Sequence, residues 1–267
     1  MLQAVMNDHE CPHCHVRGRS RLHWQAPRFL RCKECGVIYR DPFPDADSLA
    51  RLYCESWESP TINIRETGST DVAIASSLIV SLLKTLGRRS LVGLRVMDYG
   101  AGRGAMALEL RRWGADVVAV EPFGCDYLLD LGVSACRDLS DPPATLRFDG
   151  IVCLEVIEHL RDPRAVMADL FGRLHSGGWL LVTTPNAAGL PAKLTGPRWR
   201  EAAKPGHIVL FTPAAIRKTL TDIGFCDVRR ARWFVRYPQV SLARAAAHFG
   251  MQSLSIDGAL RMVARRP

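Results

Sequence analysis

The fold of this chain is decided by the stretch Asp98-Tyr99-Gly100-Ala101-Gly102-Arg103-Gly104. A short apolar run at 94–97 precedes the stretch, and a helix-like segment at 105–113 follows it. A strand, a glycine-rich turn and a helix in this order form a site for a nucleotide-type cofactor. Glycine permits the tight turn, and a ligand can lie against its backbone because it has no Cβ. We therefore predict a cofactor-binding loop at this position.

The acidic residues around the loop bear on which cofactor it binds. A second apolar run, 117–120, ends at Glu121, and a carboxylate at a strand end can accept hydrogen bonds from both hydroxyls of a ribose. The glycine spacing and the position of Glu121 also fit a dinucleotide site, so these two features leave the cofactor open. Asp98 favours S-adenosylmethionine, because a carboxylate two residues before Gly100 suits the ammonium of a methionine moiety and would repel a pyrophosphate.

Apolar runs and helix-like segments alternate along most of the chain. We predict strands near 94–98, 116–120, 148–153 and 178–184, and helices near 103–113, 124–131, 163–175 and 213–223. This alternation indicates a parallel sheet with helices on both faces. Ligands of such sheets bind beyond the carboxyl ends of the strands, so Asp98, Glu121 and Glu155 should converge there.

The segment from Phe148 to Leu160 resembles the fourth-strand motif of class I S-adenosylmethionine-dependent methyltransferases. Together with the glycine loop, Glu121 and the segment 176–186, the resemblance covers roughly residues 90–265. It implies an α/β, Rossmann-like methyltransferase fold with a mostly parallel seven-stranded sheet, whose last two strands form an antiparallel hairpin at one edge. The cofactor-binding residues it implies are Asp98, Gly100, Ala101, Gly102, Gly104, Glu121, Pro122, Asp138, Leu139, Leu154 and Glu155.

Two Cys-x-x-Cys pairs lie near the N-terminus and are separated by 17 residues; their cysteines are Cys11, Cys14, Cys32 and Cys35. This spacing is typical of a zinc ribbon. Four thiolates can close a tetrahedral shell around zinc and leave no position open for catalysis, so we predict a structural Zn²⁺. Metal binding should supply the folding energy of so small a module. His13 and His15 are alternative ligands.

Length and composition agree with one large domain and one small module. We divide the 267 residues into a zinc-ribbon module (1–42), a linker with cofactor-covering helices (43–90) and a methyltransferase domain (91–267). The sequence contains neither an apolar run of 18 residues nor a basic-then-apolar leader, so we expect a cytoplasmic protein without membrane insertion. The net charge is +8, and residues 1–40 carry seven Lys and Arg against three acidic residues.

Candidate catalytic residues follow the fourth predicted strand of the methyltransferase sheet. Glu155, Glu158 and His159 would share one face of a helical turn, and His207 stands in a later loop. His159 is the best candidate for the base that deprotonates the acceptor. The same set resembles the Glu-x-x-Glu-His site of ubiquinone-pathway O-methyltransferases and small-RNA 2′-O-methyltransferases, which implies Mg²⁺ or another divalent ion. In the alternative interpretation Glu155 serves the cofactor, Glu158 is solvated and His159 acts without a metal.

Three functions compete on these features. The leading hypothesis is methylation, at oxygen, of a small-molecule biosynthetic intermediate. An RNA methyltransferase that docks RNA through the basic ribbon is the main rival, although the ribbon offers only Trp24, Phe29 and Tyr39 for base stacking. A non-catalytic binding module is the third. We place the acceptor side in the loop-rich segment 186–207, where Trp199 packs on the acceptor or belongs to the core.

Overall fold

The computed structural model of the protein describes residues 10–58, 69–233, 242–254 and 256–267. Residues 1–9 of the predicted ribbon module and 59–68 of the predicted covering segment therefore lie outside the description. Within the described ranges, no helix is both long and apolar enough to cross a membrane.

The chain begins with a small antiparallel sheet and continues as alternating strands and helices. The strands are β1 (Ser20–Gln25), β2 (Arg28–Cys32), β3 (Ile38–Arg40), β4 (Arg95–Tyr99), β5 (Asp116–Val120), β6 (Ser134–Cys136), β7 (Phe148–Leu154), β8 (Leu174–Pro185), β9 (Val209–Leu210), β10 (Cys226–Arg230) and β11 (Ala259–Arg265). The helices are α1 (Ala46–Glu58), α2 (Ser69–Leu86), α3 (Ala105–Arg112), α4 (Cys125–Asp130), α5 (Pro163–Arg173), α6 (Leu190–Thr195), α7 (Arg200–Ala203), α8 (Pro213–Ile223) and α9 (Leu242–Ser253). Single 3₁₀ turns occur at Ile157–His159 and Gly196–Arg198.

The larger sheet has seven strands in the order β10-β11-β8-β7-β4-β5-β6. Strands β4 to β8 run parallel to one another, and β11 pairs antiparallel with both β8 and β10. This confirms the predicted Rossmann-like fold with an antiparallel hairpin at one edge. The strand order reverses between β4 and β7, and open α/β sheets bind their ligands at such a switch point.

The central strands are apolar over most of their length because helices cover both faces of the sheet. Val96, Met97, Ile151 and Leu180 are fully buried in these strands. Burial of such a side chain stabilises the fold by about 1.5–3 kcal/mol, so the core holds β4 and β7 in a fixed register. That rigidity fixes the positions of the residues at the strand ends.

Local sequence signals set the bounds of the two helices that pack beside the small sheet. Helix α5 begins after Asp162, whose carboxylate accepts a hydrogen bond from the Ala165 amide at 2.9 Å, and Pro163 opens its first turn. Helix α8 repeats the pattern with the Thr212 hydroxyl and Pro213. Both helices begin where the sequence predicts.

The smaller sheet joins the cysteine-bearing segment to the rest of the chain. Its order is β1-β2-β3-β9, so its fourth strand comes from beyond residue 200. Ile38 pairs with Leu210 and Tyr39 with Val209 in an antiparallel ladder. The residues predicted as a separate ribbon module therefore share one sheet and two apolar clusters with the larger domain.

Candidate active site

The glycine loop after β4 has the conformation that its composition predicts. Gly100, Gly102 and Gly104 have φ values of +73°, +51° and +79°, a region that side chains other than glycine rarely adopt. A Cβ on Gly100 would lie 2.3 Å from Val156 Cγ2, and one on Gly104 would lie 2.6 Å from Leu128 Cδ2. Gly104 thus turns the chain into α3, while a Cβ on Gly102 would meet open space.

Asp98 is a buried carboxylate beside this loop. Asp98 is only 2 % exposed, and its Oδ2 has no hydrogen-bond partner in the described part of the chain. Burial raises the pKa of Asp98 to about 7, although the Ala107 amide opposes the shift. An unpaired buried carboxylate is costly. A ligand ammonium would remove that cost, so the donor set fits the amino-acid end of S-adenosylmethionine.

Glu121 follows β5 and is also buried. Its Oε2 accepts a hydrogen bond from the Gly102 amide at 2.8 Å, and its Oε1 accepts one from the Phe123 amide at 3.1 Å. The carboxylate therefore braces the glycine loop. Each oxygen keeps a second lone pair that can accept from a ribose hydroxyl.

Two adjoining cavities meet at Gly100 and Glu155. The first has a volume of about 500 Å³ and is bordered by Asp98, Ala101, Gly102 and Leu154 among others. The second has a volume of about 480 Å³, and its lining includes the predicted residues Glu121, Pro122, Asp138, Leu139 and His159. The predicted cofactor residues thus line one continuous cleft, except Gly104, which supports the loop.

A second group of titratable side chains lies beside this cleft, and His159 is the member of the group that lines the second cavity. Glu158, His159 and His207 each offer a ligand atom, and these atoms lie within 4.8 Å of one another. Glu158 Oε2 accepts a hydrogen bond from the Thr184 hydroxyl at 2.9 Å, whereas its Oε1 is buried and has no partner among the described residues. One carboxylate and two imidazoles are a donor set that divalent metals accept.

Hydrogen bonds to a backbone carbonyl fix the orientation of the His159 ring. His159 Nδ1 lies 2.9 Å from Gly206 O and 2.9 Å from the Tyr53 hydroxyl oxygen. Because a carbonyl oxygen can only accept, Nδ1 donates to Gly206 O, and the Tyr53 hydroxyl donates to the same carbonyl at 3.1 Å. This assigns the proton to Nδ1 and leaves the lone pair on Nε2, 3.9 Å from Glu158 Oε1. Metal-binding histidines are held in this way, and so are histidines that act as bases.

Burial shifts the pKa values of this group in opposite directions. It raises the pKa of Glu158 well above its usual value, and the nearby Glu155 adds to the effect. It lowers the pKa of His159 and lowers that of His207 to about 3, the latter with a contribution from His159. Both imidazoles are therefore neutral at neutral pH, as a base or a metal ligand must be.

Glu155 lies outside this three-residue group. It has a left-handed backbone with φ +54°, and the 3₁₀ turn begins only at Ile157. Its Oε1 accepts a hydrogen bond from the Thr183 hydroxyl at 2.9 Å, and its side chain borders both cavities. The spacing from Glu155 to His159 therefore does not produce the shared helical face that the sequence suggests, and Glu155 faces the cofactor cleft.

Comparison with known proteins agrees with this geometry. A family model described as a methyltransferase domain matches residues 73–230. The chain belongs to this methyltransferase family. A ubiquinone biosynthesis O-methyltransferase of Xylella fastidiosa (strain M23) is 35% identical over 112 residues, which are 37% of this chain and 45% of that protein. The corresponding protein of Xanthomonas oryzae pv. oryzae (strain PXO99A) is 31% identical over 111 residues, 37% of this chain and 46% of that protein.

The match to these curated relatives spans about half of their length. Solved structures extend the likeness of fold over more of the chain. An S-adenosylmethionine-dependent methyltransferase from Archaeoglobus fulgidus has a TM-score of 0.51 and 17% identity, and covers 81% of this chain and 99% of its own. The 1,6-didemethyltoxoflavin-N1-methyltransferase of Burkholderia thailandensis has a TM-score of 0.52 and 18% identity, and covers 92% and 99%.

Sequence reasoning expected cofactor-covering helices in 43–90 but did not identify which of their side chains border the cleft. Trp57 of α1 and Ile74 of α2 border the first cavity, and Tyr53 of α1 borders the second. Arg103 of the glycine loop lies 4.4 Å from the centre of the Trp57 ring and donates to the Trp57 carbonyl at 3.2 Å. These contacts join segments that are distant in sequence, so no local sequence pattern predicts them.

The four predicted zinc ligands come together at one end of the small sheet. Cys11 Sγ lies 3.7 Å from Cys35 Sγ, and Cys14 Sγ lies 3.6 Å from Cys32 Sγ. All four sulfur atoms lie within 4.8 Å of one another, as a tetrahedral Zn²⁺ site requires. The two alternative ligands point elsewhere: His13 pairs with the Thr219 hydroxyl at 2.7 Å, and His15 pairs with Glu10 and Asp162.

Trp199 belongs to the core of the protein. It is 4 % exposed and packs edge-to-face with Trp24, with the ring centres 6.5 Å apart. Of the aromatic residues considered for RNA stacking, Phe29 and Tyr39 are also buried. The aromatic residues of the small sheet therefore face inward.

Proposed function

We propose that the protein transfers a methyl group from S-adenosylmethionine to an oxygen of a small-molecule biosynthetic intermediate. The observation that carries the cofactor assignment is Asp98, whose buried Oδ2 has no hydrogen-bond partner among the described residues and whose side chain borders the first cavity. Glu121, at the second cavity, is suited to the ribose, and Asp138 with Leu139 to the adenine end. A pyrophosphate beside Asp98 would add a like charge to a buried site.

The protein's part in the reaction is to orient the acceptor and to remove its proton. S-adenosylmethionine supplies a methyl group that is already activated on a sulfonium. His159 Nε2 accepts the proton of the acceptor hydroxyl, because its other nitrogen is committed to the Gly206 carbonyl. Tyr53 holds the same carbonyl and so keeps the imidazole aligned.

We propose, as the alternative role of His159, that its Nε2 holds a divalent cation together with Glu158 and His207. The unpaired Oε1 of Glu158 supports this proposal, because a buried acceptor without a donor is costly and a cation would satisfy it. A cation bound there would lower the pKa of an acceptor hydroxyl near His159. The four cysteines would bind a structural Zn²⁺ and take no part in the chemistry.

Calorimetry with S-adenosylhomocysteine tests the cofactor assignment. We expect the wild-type protein to bind it and the Asp98→Asn variant to bind it more weakly. Asp116→Asn is the matched control, because Asp116 is an exposed aspartate at the first residue of β5, at the end of the sheet opposite the cleft. Binding of NAD, with none of S-adenosylhomocysteine, would overturn the proposal.

Relatives named as O-methyltransferases of ubiquinone biosynthesis favour oxygen as the target over nitrogen or carbon. The RNA alternative has less support, because the aromatic residues of the small sheet pack inside the protein and offer no stacking platform within the described residues. Binding of single-stranded RNA that weakens steeply with salt would favour that alternative. Failure to bind S-adenosylhomocysteine or NAD would favour a non-catalytic module.

A further inference from the structure

Arg40, the last residue of β3, contacts the segment from Ala202 to Ile208 through both its backbone and its side chain. Its amide donates to Ile208 O at 2.9 Å. Its Nη2 donates to Ala202 O and to Lys204 O, both at 3.0 Å. One arginine of the cysteine-bearing sheet therefore holds three carbonyls of a loop that lies far away in sequence.

The same loop supports each member of the candidate cation site. The Ile208 amide donates to Glu158 O at 2.9 Å, so Arg40 and Glu158 both hydrogen-bond to the backbone of Ile208. The Gly206 carbonyl fixes the His159 ring. The His207 amide donates to Lys204 O at 3.1 Å, the oxygen that also accepts from Arg40 Nη2.

The guanidinium group is suited to this position for a geometric reason. It is planar, it stays charged, and its fixed array of donors can satisfy two carbonyls at once, whereas a lysine ammonium is a compact point charge on a flexible stem. Phe29 orders it further, because the guanidinium carbon lies 5.0 Å from the centre of that ring. The loop it holds contains Pro205 and Gly206 and makes no regular ladder until β9 begins.

We infer that Arg40 is a positioning residue for the reaction, and that the cysteine-bearing sheet builds one side of the active site through it. The β3–β9 ladder and the Arg40 hydrogen bonds fix the positions of Gly206 and His207 relative to Glu158 and His159. The catalytic consequence rests on the proposed function, whereas the ordering of the loop by Arg40 does not.

The test compares Arg40→Ala and Arg40→Lys with Arg21→Ala, a control that removes an exposed arginine of β1 from the same small sheet. The zinc-loaded protein is titrated with Mn²⁺ and followed by electron paramagnetic resonance, since Mn²⁺ prefers oxygen and nitrogen ligands to the thiolates of the ribbon. We expect Arg40→Ala to weaken Mn²⁺ binding about tenfold or more, Arg40→Lys to weaken it less, and Arg21→Ala to leave it unchanged. Zinc content and S-adenosylhomocysteine affinity should stay at wild-type values in all three variants.

Wild-type Mn²⁺ affinity in Arg40→Ala would overturn the inference. If Arg40→Ala loses zinc or fails to bind S-adenosylhomocysteine, the Mn²⁺ affinity of Arg40→Lys decides instead, and a wild-type value there would overturn the inference. If the wild-type protein binds no Mn²⁺, the cation proposal fails on its own, and hydrogen exchange then decides the role of Arg40. Faster exchange of the His207 and Ile208 amides in Arg40→Ala, with β4 unchanged, supports the inference, and unchanged exchange of both amides overturns it.

Discussion

The two clusters of potential metal ligands in this protein are built in opposite ways. The cysteine cluster comes from two short local pairs: Cys32 ends β2, and the other three cysteines lie in turns beside the small sheet. The cluster of Glu158, His159 and His207 joins a 3₁₀ turn to a loop nearly 50 residues later. Hydrogen bonds to backbone carbonyls align the 3₁₀ turn and the loop. A site encoded locally is visible in the sequence, whereas a site assembled by tertiary contacts is visible only in part.

The difference also predicts how each cluster fails. Loss of the cysteine cluster should cost folding free energy, because the small sheet has few apolar residues of its own. Loss of the histidine cluster should lower the turnover rate and leave the fold intact, because buried residues of β4, β7 and β8 form the apolar core without it.

Cys32→Ser should have the largest effect on stability. Structural zinc contributes on the order of 10 kcal/mol to the folding of small zinc modules, so we expect the variant to lose its zinc and to loosen β2 and β3. Because β3 pairs with β9, the loosening should reach 206–211 while β4 stays protected. Zinc analysis and hydrogen exchange measure this, with the exposed Cys226→Ser as control. A variant that keeps its zinc would contradict the proposed ligand set.

His159→Ala should leave stability nearly unchanged and lower turnover about 10²–10⁴-fold, the usual cost of losing a general base. Steady-state rates with and without EDTA separate its two roles. If His159 acts only as a base, activity survives EDTA and falls as the pH drops through the histidine pKa, which burial places below its usual value. If it holds a cation, EDTA abolishes activity, Mg²⁺ restores it, and His207→Ala is nearly as harmful. Exposed His175→Ala is the control, and near wild-type turnover in His159→Ala would exclude both roles.

Asp98→Asn should weaken S-adenosylhomocysteine binding by about 1.5–3 kcal/mol, the range for hydrogen bonds to charged groups. That corresponds to roughly 10- to 150-fold in the dissociation constant. Neither metal cluster should respond, since Asp98 belongs to the first cavity alone. Calorimetry checks the affinity, and zinc content checks the specificity of the change. Unchanged affinity would show that the ammonium binds elsewhere.

The smallest effect we predict is a pH dependence caused by the same carboxylate. The pKa of Asp98 is raised to about 7, so S-adenosylhomocysteine affinity should fall about tenfold per pH unit below that value, as binding requires the ionised form. In the free protein the sign is opposite: the folded pKa exceeds the usual 3.8, so this group's contribution to stability falls as the pH rises from about 4 to 7. Asp98→Asn should flatten both dependences, and a calorimetric pH series that remains steep would contradict this origin.

Much of the fold could be predicted because its signals are local. The predicted run 94–98 is shifted by one residue from β4, the run 148–153 ends one residue before β7, and the Asp162-Pro163 pair marks the beginning of α5. The site was predicted less completely. The left-handed backbone at Glu155 could not be read from its spacing, and the roles of Tyr53 and Arg40 arise from contacts across more than 100 residues.

The two-residue strand β9 has a consequence for any attempt to shorten or recombine this chain. Without β1 to β3 its outer edge would be open, and the apolar side chains of Ile208, Leu210 and Phe211, all fully buried, would lose their cover. Open strand edges beside bare apolar surface recruit other chains. A truncated catalytic fragment should therefore aggregate, and an exchanged N-terminal segment should be tolerated only when it arrives with substitutions in residues 200–211 that match it.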